Sequence, residues 1–232
     1  MRLPERIGVV WGVAGGLCAF LLLRWFVVVL GGAMGLGLSG SHVLLKLLLG
    51  GLVLVVAGMR KGGLGEMGWG RPRGWVWGVV VIGCGFLGVC ASVVLLGFEG
   101  GGVPLMQGLS FLEIVVTVWL LSTVVEELFC RGLMQGWMGG GEKDGGVWLN
   151  GGVVGGAVLF GGMHLTLLMD GADGVTVGVI LVATTILGWL CGGLRRMSES
   201  LWPAVLGHFA FNVGGVVGAV AFMLVMRGGG AG

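Results

Sequence analysis

A chain of 232 residues with 56% hydrophobic and only 10% charged positions cannot cover a water-facing surface, because a soluble domain averages about 25% charged residues. The formal net charge of +2, with no basic run longer than two residues, gives no footing for nucleic-acid binding. With a mean hydropathy of +1.05, the remaining class is an all-α, polytopic transmembrane helical bundle forming a single membrane domain over 1–232.

Apolar runs near the ~20 residues that span a bilayer fall at about 8–34, 42–59, 75–98, 109–138, 151–169, 175–194 and 201–226. The first, within MRLPERIGVVWGVAGGLCAFLLL, resembles a signal peptide, but it continues past Arg24 and is expected to be a retained span. Arg24 and Lys46 are lone cations in spans one and two, expected to snorkel to a headgroup or mark a helix end. MRKGGLGEMGWGRPRG (59–74) is the longest polar connector. Glu113, near the start of span four, is expected at the interface. The stretch STVVEELFCRG (122–132) follows in the same span, then the connector GEKDGG (141–146). Span five contains LFGGMHL and span seven LWPAVLGHFAFN.

Five scattered cysteines without a CxxC support neither a disulfide framework nor a thiolate metal site. The 54 glycines suit close helix packing in lipid, or reflect codon bias. By the positive-inside rule, a cytoplasmic N-terminus puts Arg2, Arg6, Arg60, Lys61, Arg71, Arg73, Lys143, Arg195 and Arg196 inside. Arg227, Glu99, Asp170 and Asp173 then lie outside. The expected location is a cell membrane, with the N-terminus in the cytoplasm.

Glu126, Glu127 and Arg131 share two helical turns where charge is costly. Glu127 and Arg131 stand at i and i+4 in the favourable order for an ion pair. Glu126 then has no partner in its own span and must be protonated or face a wet cavity. Phe160 and His164 lie one turn apart on span five, and His208 and Asn212 project from one face of span seven. At 1.5 Å per residue, Glu126, His164, His208 and Asn212 can meet about 10–18 Å below the cytoplasmic surface, in a pocket reached from the cytoplasm.

A glutamate, two imidazoles and an amide suit peptide-bond hydrolysis. Glu126 would act as general base on water, with His164, His208 and Asn212 stabilising the oxyanion. Alternatively His164 and His208, with the glutamate, would hold one divalent cation such as zinc; a metal-free route stays open.

EELFCRG resembles the EExxxR motif of the CAAX-protease and bacteriocin-processing family of intramembrane endopeptidases, which includes the type II CAAX prenyl proteases. LFGGMH is similar to its FxxxH motif and HFAFN to its HxxxN motif. LGEMGWGRPRG (64–74) resembles the LG-x-x-RP segment carried by bacterial members. The resemblance covers about 64–215. It implies Glu126 as the catalytic glutamate, with His164, His208 and Asn212 completing the site and Glu127 and Arg131 completing the first motif. It also implies about eight spans, which a division of the first run at Arg24 would supply. The implied partner is a membrane-associated or lipid-modified peptide or protein at the bilayer. Two competing readings are a non-catalytic scaffold or immunity-type protein of the same fold, and a cation-coupled transporter. The transporter lacks the expected internal repeat.

Overall fold

The computed structural model describes residues 3–98, 109–138 and 146–228. Arg2, Glu99, Lys143, the 139–145 connector and the side chains of Arg6 and Arg227 lie outside the described residues. The described chain is helical, without strands. We number its long helices α1 (Leu3–Ala33), α2 (Leu38–Gly58), α3 (Trp77–Gly97), α4 (111–138), α5 (Gly151–Met163), α6 (Gly174–Ser198) and α7 (Trp202–Gly228).

Six of these segments, all but α4, are long and apolar enough to cross a membrane, α5 being counted with the tightened turn that follows it. The α4 segment is of similar extent but carries Glu113, Glu126, Glu127 and Arg131. The first apolar run is one unbroken helix through Arg24, so it does not divide into two spans. It ends at Ala33, and Gly35, whose φ of +70° suits a residue without Cβ, turns the chain toward α2 at Leu38.

Local chemistry sets the other boundaries. Ser110 and Glu113 form a reciprocal capping box at the start of α4, which gives Glu113 a role at the helix end. Asn150 accepts from Gly152 N ahead of α5, and Asp173 accepts from Val175 N and Thr176 N ahead of α6. Glu199, in left-handed backbone at φ 53°, ends α6.

The α4 helix lies innermost, with every residue from 128 to 135 buried. Two π-helical stretches, Ile114–Ser122 and Leu128–Met134, flank one regular turn, Thr123–Glu127, which carries both carboxylates. Such widened turns recur at functional sites. Around α4, the outer helices turn large apolar side chains such as Trp11, Trp25, Ile82, Phe86 and Leu224 outward, as a lipid surround requires.

Small residues bring α3 and α7 together. A Cβ at Gly88 would stand 2.0 Å from the Phe211 carbonyl oxygen, and one at Gly214 would stand 2.0 Å from that of Gly85. At the basic end, the 59–74 connector docks on the α6–α7 turn. Arg73 N donates to Ser198 O, Leu201 N to Gly68 O, and Arg195 Nε to Met67 O. Met67, fully buried, packs against Gly132 of α4 and closes that end of the bundle.

Candidate active site

The regular turn of α4 points its two carboxylates in different directions. Glu127, with no exposed surface, turns inward, where Arg131 Nη1 donates to its Oε1 at 3.0 Å. The same guanidinium donates through Nη2 to Gly188 O of α6 at 3.1 Å and lies 4.4 Å over the Phe160 ring. The expected Glu127–Arg131 pair is therefore present and fully buried.

Glu127 also has a second task. His208 Nδ1 lies 2.9 Å from Glu127 Oε1. A carboxylate only accepts, so Nδ1 carries the hydrogen, and in the neutral imidazole Nε2 presents a lone pair. That Nε2 faces Glu126, 3.9 Å from its Oε2. Phe160 fixes both imidazoles edge-on, with ring centroids 5.1 Å from His164 and 5.3 Å from His208.

His164 stands where α5 tightens into a 3-10 turn. Its Nδ1 lies 2.9 Å from Phe160 O, a carbonyl near the helix end that its ring nitrogen satisfies. A carbonyl also accepts only, so neutral His164 likewise keeps its lone pair on Nε2. On α7, Asn212 Nδ2 donates to Thr123 Oγ1 at 3.1 Å, one turn before Glu126.

Glu126, His164, His208 and Asn212 line one cavity of about 380 Å³, with Ser122, Lys46 and His42 also in its wall. Glu127, Arg131 and Phe160 lie behind that wall and brace it.

Three expectations change. Glu126 is not without a partner: Lys46 Nζ of α2 pairs with its Oε1, and Ser122 Oγ donates to the same oxygen at 3.2 Å. Lys46 does not snorkel, being only 3% exposed. The buried face of α2 presents it to α4, with Gly50 against Val125 one turn on. Arg24 does not snorkel either, because it pairs with Asp170 at 2.5 Å.

The cavity also lies nearer one end of the bundle. The cavity takes its lining from the last part of α1, the first part of α2, the second half of α3, the first half of α4 and Asp170. It thus extends from Glu126 toward the helix ends near 33, 38, 97, 111 and 168, whereas Arg60, Lys61, Arg71, Arg73, Arg195 and Arg196 gather at the opposite end. The cavity thus lies toward the helix ends that a cytoplasmic N-terminus would place outside.

A zinc ion would draw on His164, His208 and Glu126. Among the described residues, no three His, Cys, Asp or Glu side chains come together in a group able to hold a metal. Glu126 already carries an ammonium. As arranged here, the residues do not fit the ion.

Residues 108–214 match the family model described as type II CAAX prenyl endopeptidase Rce1-like. Neither a curated protein nor a solved structure matches the chain. The matched segment contains Glu126, His164, His208 and Asn212; α2, with Lys46 and His42, lies outside it.

Proposed function

We propose that this chain, whose residues 108–214 match the type II CAAX prenyl endopeptidase Rce1-like family model, is an intramembrane endopeptidase of that family in which Glu126 activates the attacking water. The observation that carries this reading is the 3.9 Å spacing of Glu126 Oε2 and His208 Nε2 on the wall of a cavity shared with His164 and Asn212. Two acceptors at that spacing can take both hydrogens of one water, leaving an oxygen lone pair for attack.

In the reaction, the water oxygen bonds to the scissile carbonyl carbon while its proton passes to Glu126 Oε2. The carbonyl π pair moves onto oxygen, giving a tetrahedral oxyanion. Asn212, which can exchange its bond to Thr123 for one to the oxyanion, is the amide donor. Collapse breaks the C–N bond, and Glu126 returns the proton to the leaving amine. His208, held by Glu127, keeps the tautomer that accepts from water.

The cavity also suits the substrate class. Beside the polar residues run Ala91, Leu95, Val118, Trp119, Phe211 and Val216, a wall fitted to an apolar side chain or lipid group. Under the positive-inside rule, substrate enters from the extracytoplasmic half of the bilayer.

Purified protein incubated with a prenylated and an unmodified membrane peptide, with and without zinc and chelator, tests the proposal. The expected result is cleavage of at least one peptide that persists in chelator. Cleavage abolished by chelator and restored by zinc would replace this mechanism with a metal-assisted one. No cleavage of either peptide would favour the non-catalytic scaffold.

A further inference from the structure

A buried ammonium on a buried carboxylate demands an account, because each alone is costly in lipid. Lys46 and Ser122 both donate to Glu126 Oε1. That loading is one-sided, and it leaves Oε2 toward His208 Nε2. Of the three histidines lining the cavity, His164 and His208 in their neutral form present lone pairs at Nε2, so neither donates from there to an oxyanion. Of the permanent cations lining the cavity, Arg24 is bound to Asp170 and Lys46 to Glu126.

We propose that Lys46 is a positioning residue of the hydrolytic site, holding Glu126 as a carboxylate with Oε2 turned to the water and balancing the oxyanion charge after proton transfer. Before attack, ammonium and carboxylate cancel. When Glu126 takes the proton it becomes neutral, and the negative charge moves to the substrate oxygen. The ammonium, unchanged, then faces that charge, so the net charge of the cavity stays constant through the step. The chain supplies from α2 the cation that a metal would otherwise bring. The proposal rests on the hydrolytic reading above. The other ionisable groups around the pair are Arg24 on α1, His42 on α2, Glu127 and Cys130 on α4, His164 on α5, Asp170 ahead of α6 and bound to Arg24, and His208 on α7, while the polar lining residues of α3 and α6 are Ser92 and Thr184.

The test compares the parent with Lys46→Met, Lys46→Arg and Lys46→Met/Glu126→Gln in one detergent, by carboxyl infrared absorption at neutral pH and by steady-state kinetics. Lys46→Met is expected to show a protonated carboxyl band that the parent and the double variant lack. Its kcat should fall about a hundredfold, the lower range for losing a general base, with a smaller change in KM. Lys46→Arg should lack the band and recover part of kcat. A Lys46→Met protein without the band, or one turning over within a few-fold of the parent, overturns the proposal. If Lys46→Met does not fold, Lys46→Arg decides: a folded variant as inactive as Glu126→Gln overturns it. A parent that cleaves nothing sinks the hydrolytic reading instead, and the infrared comparison still decides whether Lys46 sets the state of Glu126.

Discussion

Adjacent carboxylates on α4 separate by surroundings rather than by chemistry. Glu127 sits between a guanidinium and an imidazole, both donating to its Oε1, while its Oε2 lies buried without a hydrogen-bond partner among the described residues. Arg131→Ala would leave that carboxylate without its permanent counter-charge. Breaking a buried pair from one side costs about 3–5 kcal/mol, so low abundance and a reduced melting temperature in detergent are expected, along with lost cleavage. An Arg131→Ala protein as heat-stable as the parent would show that the pair contributes nothing net. The i, i+4 pair was legible because both partners lie on one helix. The Lys46–Glu126 and Arg24–Asp170 pairs were not, since spacing along one span carries no information about the facing span. A matching of lone cations to lone carboxylates across spans would have suggested them. Ser122, four residues before Glu126, was within reach of the helical period.

Element boundaries followed from the apolar runs except where charge misled. Arg195 and Arg196 look like a loop, yet they form the last turn of α6, where Arg195 can bond the backbone of the docked 59–74 connector. Cations also suit a helix C-terminus. The π-helical turns of α4 left no trace in residue spacing. Glycine content alone could not tell packing from composition bias, whereas the α3–α7 contact does. Gly88→Ala would press a Cβ into the Phe211 backbone, next to Asn212, while the same change at Gly83 meets nothing within 4 Å. Overpacking typically costs about 1–3 kcal/mol. Gly88→Ala should therefore lower the melting temperature and the cleavage rate, with Gly83→Ala near the parent. Equal behaviour of the two would mean that α3 and α7 are not in close contact.

Across the whole molecule, basic residues and cavity occupy opposite ends of the bundle. In a background lacking Cys18 and Cys90, the two exposed native cysteines, Gly37→Cys and Gly65→Cys mark those ends at open positions. With the basic end inside, an impermeant thiol reagent applied to intact cells should label Gly37→Cys and spare Gly65→Cys. The reverse pattern would turn the cavity to the cytoplasm and discard the orientation. The central claim, that Glu126 activates water while Glu127 holds the frame, is tested most directly by turnover and melting temperature of Glu126→Gln and Glu127→Gln side by side. Glutamine keeps the size of glutamate but takes no proton. A general base contributes about 10²–10⁴-fold, so Glu126→Gln should lose at least a hundredfold in turnover while still folding, with some loss of melting temperature because Lys46 loses its anion. Glu127→Gln should lose heat stability together with rate, because Arg131 and His208 both lose their anion. A Glu126→Gln protein that cleaves at the parental rate would contradict the account.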